Sequence, residues 1–136
     1  MKGTVTLTGI DDINNLLTKV GPKTAFNIMR ATVHSIASGI GKDAKNDAPS
    51  DEGDLKGAIK AKRERAVRGY LRSTVRVNPV AFYWRFLEYG QGPDGEEHAM
   101  FMRAVEKFRR DLDGIFVREF GKKWEAAMKR AAKRAA

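Results

Sequence analysis

Leu71-Arg72-Ser73-Thr74-Val75-Arg76-Val77 is the stretch on which the fold turns. Small or apolar residues at 71, 73, 75 and 77 alternate with Arg72, Thr74 and Arg76. That period of two marks a half-buried strand with arginines on its wet face. Asn78-Pro79 stops it, because proline cannot donate to a ladder and restricts the residue before it. Arg68-Gly69 just upstream reads as a turn, which makes Ile59 to Arg65 the antiparallel partner in a hairpin, although Leu55 to Glu64 taken alone is ambiguous between helix and strand. The hairpin decides for an α+β fold: a small antiparallel sheet packed against a long core helix, with a long C-terminal helix.

Upstream, Thr4 to Thr8 alternates like a short strand, and Asp11 or Asp12 offers an N-cap. Ile13, Leu16, Leu17 and Val20 then share one helical face, and Gly21-Pro22 ends that helix. From Lys23 to Asp47, Phe26, Met29, Val33, Ile36, Ile40 and Ala44 form a second apolar stripe, the expected core helix. Gly39 and Gly41 weaken it by about 1 kcal/mol each relative to Ala, which predicts a bend or a close helix-on-sheet contact. Pro49 closes the segment.

Downstream, Ala81 to Tyr89 packs six aromatic or large apolar side chains and an acid into nine residues. Phe82, Phe86 and Tyr89 make one helical row, and Tyr83 and Leu87 a second. One side is expected to face a neighbouring subunit, since aromatics are enriched in interface cores; Phe82, Tyr83 and Phe86 are the candidates. Gly90 to Glu97 has glycines, a proline and acids without periodicity, an exposed loop. Phe101, Ala104, Val105, Phe108, Leu112, Phe116, Phe120, Trp124 and Ala127 then hold helical spacing, interrupted only at Asp113-Gly114. That pattern gives one long helix or two joined at the glycine.

The length of 136 residues is that of one domain, spanning 1–136. The absence of cysteine excludes disulfides and thiolate chemistry. The N-terminus has neither the basic start nor the apolar run of a signal peptide, and no stretch is apolar enough for a bilayer, so cytoplasmic synthesis and no membrane contact are expected. The net charge of +9 predicts attraction to polyanions or acidic surfaces. Arg103 to Arg134 carries eleven basic residues against five acids, and a second basic run lies at Lys56 to Arg76.

No catalytic constellation stands out. His34 and His98 have no Ser or Asp at a motif spacing, and a lone helical histidine is usually a packing or surface residue. Asp94, Glu96, Glu97 and His98 lack the ligand spacing of the sharper metal motifs and read as a solvated acidic loop. The acids around Asp51 and Asp54 suit a helix N-terminus. No enzyme activity, metal, cofactor or small-molecule substrate is expected. Lys122, Lys123, Lys129, Arg130, Lys133 and Arg134 could neutralise phosphates, but a solvated amphipathic helix carries the same pattern.

Three short signatures remain: Pro49, Gly53 and Leu55; Glu88, Tyr89 and Gly90; Phe101 and Ala104 opening the last helix. With Gly9 and the two early helices, their order and spacing resemble the neck and tail-completion family of long-tailed double-stranded DNA phages. Asp51-Glu52-Gly53 replaces the Asp-Thr-Gly usual in that family, and Gln91 stands where a Thr often follows. The resemblance implies a virion structural protein in a head-tail joining or tail-completion ring. Its partners would be further copies of itself, neighbouring neck, connector or tail-tube proteins and, transiently, phage DNA. It would reside in the host cytoplasm during assembly and afterwards in the virion. A ring subunit needs two complementary patches. The acidic loop Asp94, Glu96 and Glu97 and the basic helix with Lys122 and Lys123 are the candidate pair. A nucleic-acid-associated accessory protein and a generic interaction module remain as alternatives.

Overall fold

Helix α2 runs unbroken from Pro22 to Asp47 and contributes to both compact units of the chain. The computed structural model describes residues 10–47, 53–67, 70–78, 88–89 and 99–135. The remaining elements are α1 (Ile10–Leu17), α3 (Gly53–Ala58), β1 (Ile59–Arg63), β2 (Ser73–Val77), α4 (Met100–Arg110) and α5 (Leu112–Ala135). The strand expected at Thr4 to Thr8 lies outside the described residues.

One unit comprises residues 1–36 and 111–136. Helix α1 starts at Ile10, so both Asp11 and Asp12 fall inside it instead of capping it. Pro22 opens α2, a position that needs no backbone N–H. Ile13, Leu16, Ile28, Phe120, Trp124 and Ala127 form the core, with Leu17, Val20, Met29 and Phe116 packed against it. The rings of Phe120 and Trp124 stack with centroids 6.0 Å apart.

The other unit comprises residues 37–110. The ambiguous stretch from Leu55 is both things in turn: α3 ends at Ala58 and β1 begins at Ile59. Strand β1 pairs antiparallel with β2, Ile59 opposite Val77 and Arg63 opposite Ser73. The Asn78 N–H extends the ladder to the Ala58 carbonyl at 2.9 Å, just ahead of Pro79. The core holds Ala44, Leu55, Ala58, Ile59, Met100 and Ala104, with Ile40, Val75, Val77 and Phe101 against it. Thus α2 carries the sheet on its second half.

The stripe expected along α2 is only partly the buried one. Phe26 is 41% exposed, whereas Ile28, Thr32, Ala37 and Ala44 are buried. The helix serves two separate cores, so no single straight row describes it. Thr32 enters the interior because its hydroxyl donates to the Ile28 carbonyl at 2.8 Å, which satisfies it within the helix.

The two glycines act differently. A Cβ on Gly39 would lie 2.8 Å from Cζ of Phe108 in α4, a close helix-on-helix approach. At Gly41 the nearest atom is a Val75 methyl at 3.6 Å, ordinary helix-on-sheet contact. The C-terminal pattern resolves into two helices, and the break is at Asp111, not at Gly114. The Asp111 carbonyl accepts the Ile115 N–H at 2.9 Å, as an N-cap residue does. Its carboxylate lies where a Cβ on Gly114 would fall, at 2.5 Å. The glycine therefore admits the capping acid.

Candidate functional site

Glu88 organises the best-defined site, in the unit formed by residues 37–110. It is 4% exposed, and its carboxylate accepts the backbone N–H of Phe101 at 3.1 Å and of Met102 at 3.0 Å. These are first-turn amides of α4, which have no partner inside the helix. A carboxylate here meets both the unpaired donors and the positive end of the helix dipole. The Ala99 N–H returns a bond to the Glu88 carbonyl at 3.3 Å, and the Ala99 carbonyl accepts Arg103 N–H at 2.9 Å. Ala99 adopts φ of 44°, a left-handed conformation that alanine disfavours. It is buried at 8%, so the surrounding contacts hold this strained entry to the helix.

Around the cap runs a groove of about 780 Å³ between β2 and α4, floored by Val75, Val77 and Phe101. Its rim carries apolar side chains facing solvent: Tyr89 is 60% exposed, Met102 55% and Val105 39%. Arg76 and Arg109 border it, and Arg109 is paired with Glu106 at 3.2 Å. On the opposite flank of α4, Lys107 pairs with Asp43 at 3.0 Å and Arg103 with Asp47 at 3.5 Å, which ties this helix to the end of α2. These exposed pairs add little stability individually.

The hairpin forms a second feature. Beyond the paired strands, Glu64 N–H donates to the Arg72 carbonyl at 2.9 Å, and Val67 and Tyr70 exchange backbone bonds at 3.2 and 2.9 Å. Glu64 accepts the Thr74 hydroxyl at 2.8 Å and is paired with Arg76. The Thr74 hydrogen bond, opposed by burial and reinforced by the charges of Arg76 and Lys62, holds the Glu64 carboxyl below its ordinary range. At the tip Val67 is 55% and Tyr70 78% exposed.

The three sequence signatures converge. Leu55 from the first and Ala104 from the third are buried in one core, and Glu88 from the second bonds the N–H of Phe101 from the third. Gly53 opens α3. Tyr89 faces solvent beside them. Lys122 and Lys123 are elsewhere, on α5 in the other unit; Lys122 is exposed and pairs with Glu119 at 3.3 Å, and Lys123 is half-buried. Pro49, Phe82, Tyr83, Phe86, Gly90, Asp94, Glu96 and Glu97 lie outside the described residues. Sequence reading missed Met102, Val67 and Tyr70, and also the Glu64 network. Met102 falls off the apolar stripe of α4, which was the available signal that it faces outward.

Among the described residues no group of three His, Cys, Asp or Glu could hold a metal ion, and no helix is long and apolar enough to cross a membrane. A family model described as "Bacteriophage HK97-gp10, putative tail-component" matches residues 11–90, more than half of the chain. The chain belongs to that family. The matched span of this phage tail component includes the first two signatures and the whole hairpin, and ends at Gly90, before the helix that Glu88 caps. No curated protein and no solved structure matches the chain.

Proposed function

We propose that this tail component is a non-enzymatic subunit of the ring that completes the tail or joins it to the head. The observation that carries the reading is the Glu88 cap, which joins the second and third signatures beside a groove along which Tyr89, Met102 and Val105 are exposed. A buried carboxylate spent on two backbone amides serves geometry, not turnover. An exposed apolar row bordered by arginines has the composition of an interface core.

A closed ring uses head-to-tail contacts, so the partner surface must be a different patch of the next subunit. The acidic residues Asp94, Glu96 and Glu97 would meet the basic face of α5, Lys122 and Lys123 included. Adjacent connector or tail-tube proteins would cover the ends of the ring. The 136 residues would act as one subunit, made in the host cytoplasm and then retained in the virion.

Electron microscopy of lysates from the parent phage with this reading frame disrupted tests the proposal. Filled heads with unjoined or malformed tails are expected. Normal infectious virions would overturn it.

A further inference from the structure

We propose that the β1–β2 arm is a binding site for a polyanionic backbone, and that its ligand is duplex DNA held through phosphate contacts without base reading. Residues 60–76 carry seven lysines or arginines and one acid. Lys60, Lys62, Arg63, Arg65, Arg72 and Arg76 are all exposed. This density exceeds that of α5, where Lys122 is paired with Glu119.

The arrangement of these cations argues for an anionic ligand. Lys60 and Arg76 are direct cross-strand partners, a like-charge juxtaposition that weakens an isolated hairpin. Lys62 lies on the same face, two residues along, opposite Thr74. The one acid offsets only a small part of this charge: Glu64 pairs with Arg76 and accepts the Thr74 hydroxyl, and the arm stays strongly positive. A face that accepts this repulsion while exposing its cations is suited to a ligand that supplies negative charge.

The shape favours duplex DNA over an acidic protein. Lys60 and Lys62, at alternate positions of β1, lie ~6.6 Å apart along the strand, and Arg72 and Arg76 flank Thr74 on the neighbouring segment, an extended array rather than a compact pocket. Among the described residues the sheet has two strands, and a two-stranded ribbon fits a B-DNA major groove about 12 Å wide. The exposed face is dominated by lysines and arginines, whose phosphate contacts position a duplex without carrying sequence information.

Fluorescence anisotropy with a mixed-sequence 30-base-pair duplex and the full chain tests this. If four cations each displace a counterion, affinity should fall about 10²-fold between 50 and 200 mM salt. The combined variant Lys60→Thr, Lys62→Thr, Arg65→Thr and Arg72→Thr should weaken binding at least tenfold at 50 mM salt. Threonine suits a strand, and removing Lys60 relieves its repulsion with Arg76, so the variant should keep the wild-type melting temperature. A control with Lys129→Gln, Arg130→Gln and Lys133→Gln should bind within about threefold of wild type.

Absence of salt-dependent binding at 50 mM would overturn the proposal, as would loss in the α5 control with none in the arm variant. Polyglutamate competing as well as DNA at equal charge would also overturn it, by assigning the arm to an acidic protein. The assay uses purified protein, so its outcome is independent of whether the chain completes a tail.

Discussion

Replacing Glu88 with alanine should be among the costliest single changes in the described chain. The carboxylate is 4% exposed and accepts two amides, at 3.1 and 3.0 Å, that open α4. Loss of a capping side chain costs about 1 kcal/mol in exposed helices, and hydrogen bonds to a charged group are worth about 1.5–3 kcal/mol each. The two cannot simply be added, because water enters part of the vacated space. A loss of about 2–4 kcal/mol is expected for Glu88→Ala and about half that for Glu88→Gln, which keeps one acceptor but not the charge. For a chain of this size, between the usual small and large domain scales, each kcal/mol lowers Tm by about 3–5 °C. Glu88→Ala should therefore melt roughly 6–20 °C below wild type. Urea denaturation followed by circular dichroism gives the free energy, and amide hydrogen exchange gives the location. The Phe101 and Met102 amides should lose protection in the Gln variant while α1 and α5 keep theirs. A Glu88→Ala protein within about 0.5 kcal/mol of wild type, the usual range for surface substitutions, would refute the capping argument.

Ala99→Gly should stabilise the chain by about 0.5–1 kcal/mol, since the native φ of 44° suits glycine and the relief outweighs the added freedom of the unfolded chain; chemical denaturation checks the sign. Gly39→Ala gains about 1 kcal/mol of helix propensity but drives a methyl to 2.8 Å from the Phe108 ring, so a net loss is expected, recovered in Gly39→Ala/Phe108→Leu by the same assay. The Glu64 carboxyl is held low by Thr74, so its contribution to stability is present above the unfolded carboxyl pKa and is lost as pH falls through the lower folded value. Thr74→Val should move its titration upward, as read by carboxyl carbon NMR, and weaken that acid-limb dependence. Tyr89→Ser/Met102→Ser should keep wild-type stability yet abolish incorporation into tails; infectious particles at normal yield would remove the groove rim from assembly.

Legibility in the sequence followed the range of the interaction. The hairpin was readable because alternation of Val75 and Val77 with Thr74 and Arg76 is a local consequence of strand geometry. Phe116, Phe120 and Trp124 likewise announced α5 by their spacing. The buried face of α2 was misread at Phe26, and Thr32 went unnoticed, because periodicity assumes one core per helix and treats a hydroxyl as polar. Thr32 satisfies that hydroxyl one turn back, and Ile28 beside it belongs to a different core from Ala44. The break at Asp111 was displaced because the visible glycine signals only freedom, while the residue that ends the turn is the acid three positions earlier.

A buried carboxylate at Glu88 is expected to accept backbone or arginine hydrogen bonds, but which amides it takes was beyond local reading, since its partners are 13 and 14 residues away. Sequence spacing marked Glu88, Phe101 and Ala104 without saying that one residue bonds the next. Their convergence explains why three weak signatures work only as a set. Leu55 and Ala104 fill one core, and Glu88 fixes where the helix carrying Ala104 must start. Such positions report a shared fold, and one fold can serve different roles with them intact. Discrimination between those roles must therefore come from the residues between the signatures: the exposed Tyr89 and Met102 at the groove and the cations of the arm. The assays on those residues leave the Glu88 scaffold standing, so a change in tail assembly or DNA binding there separates function from folding.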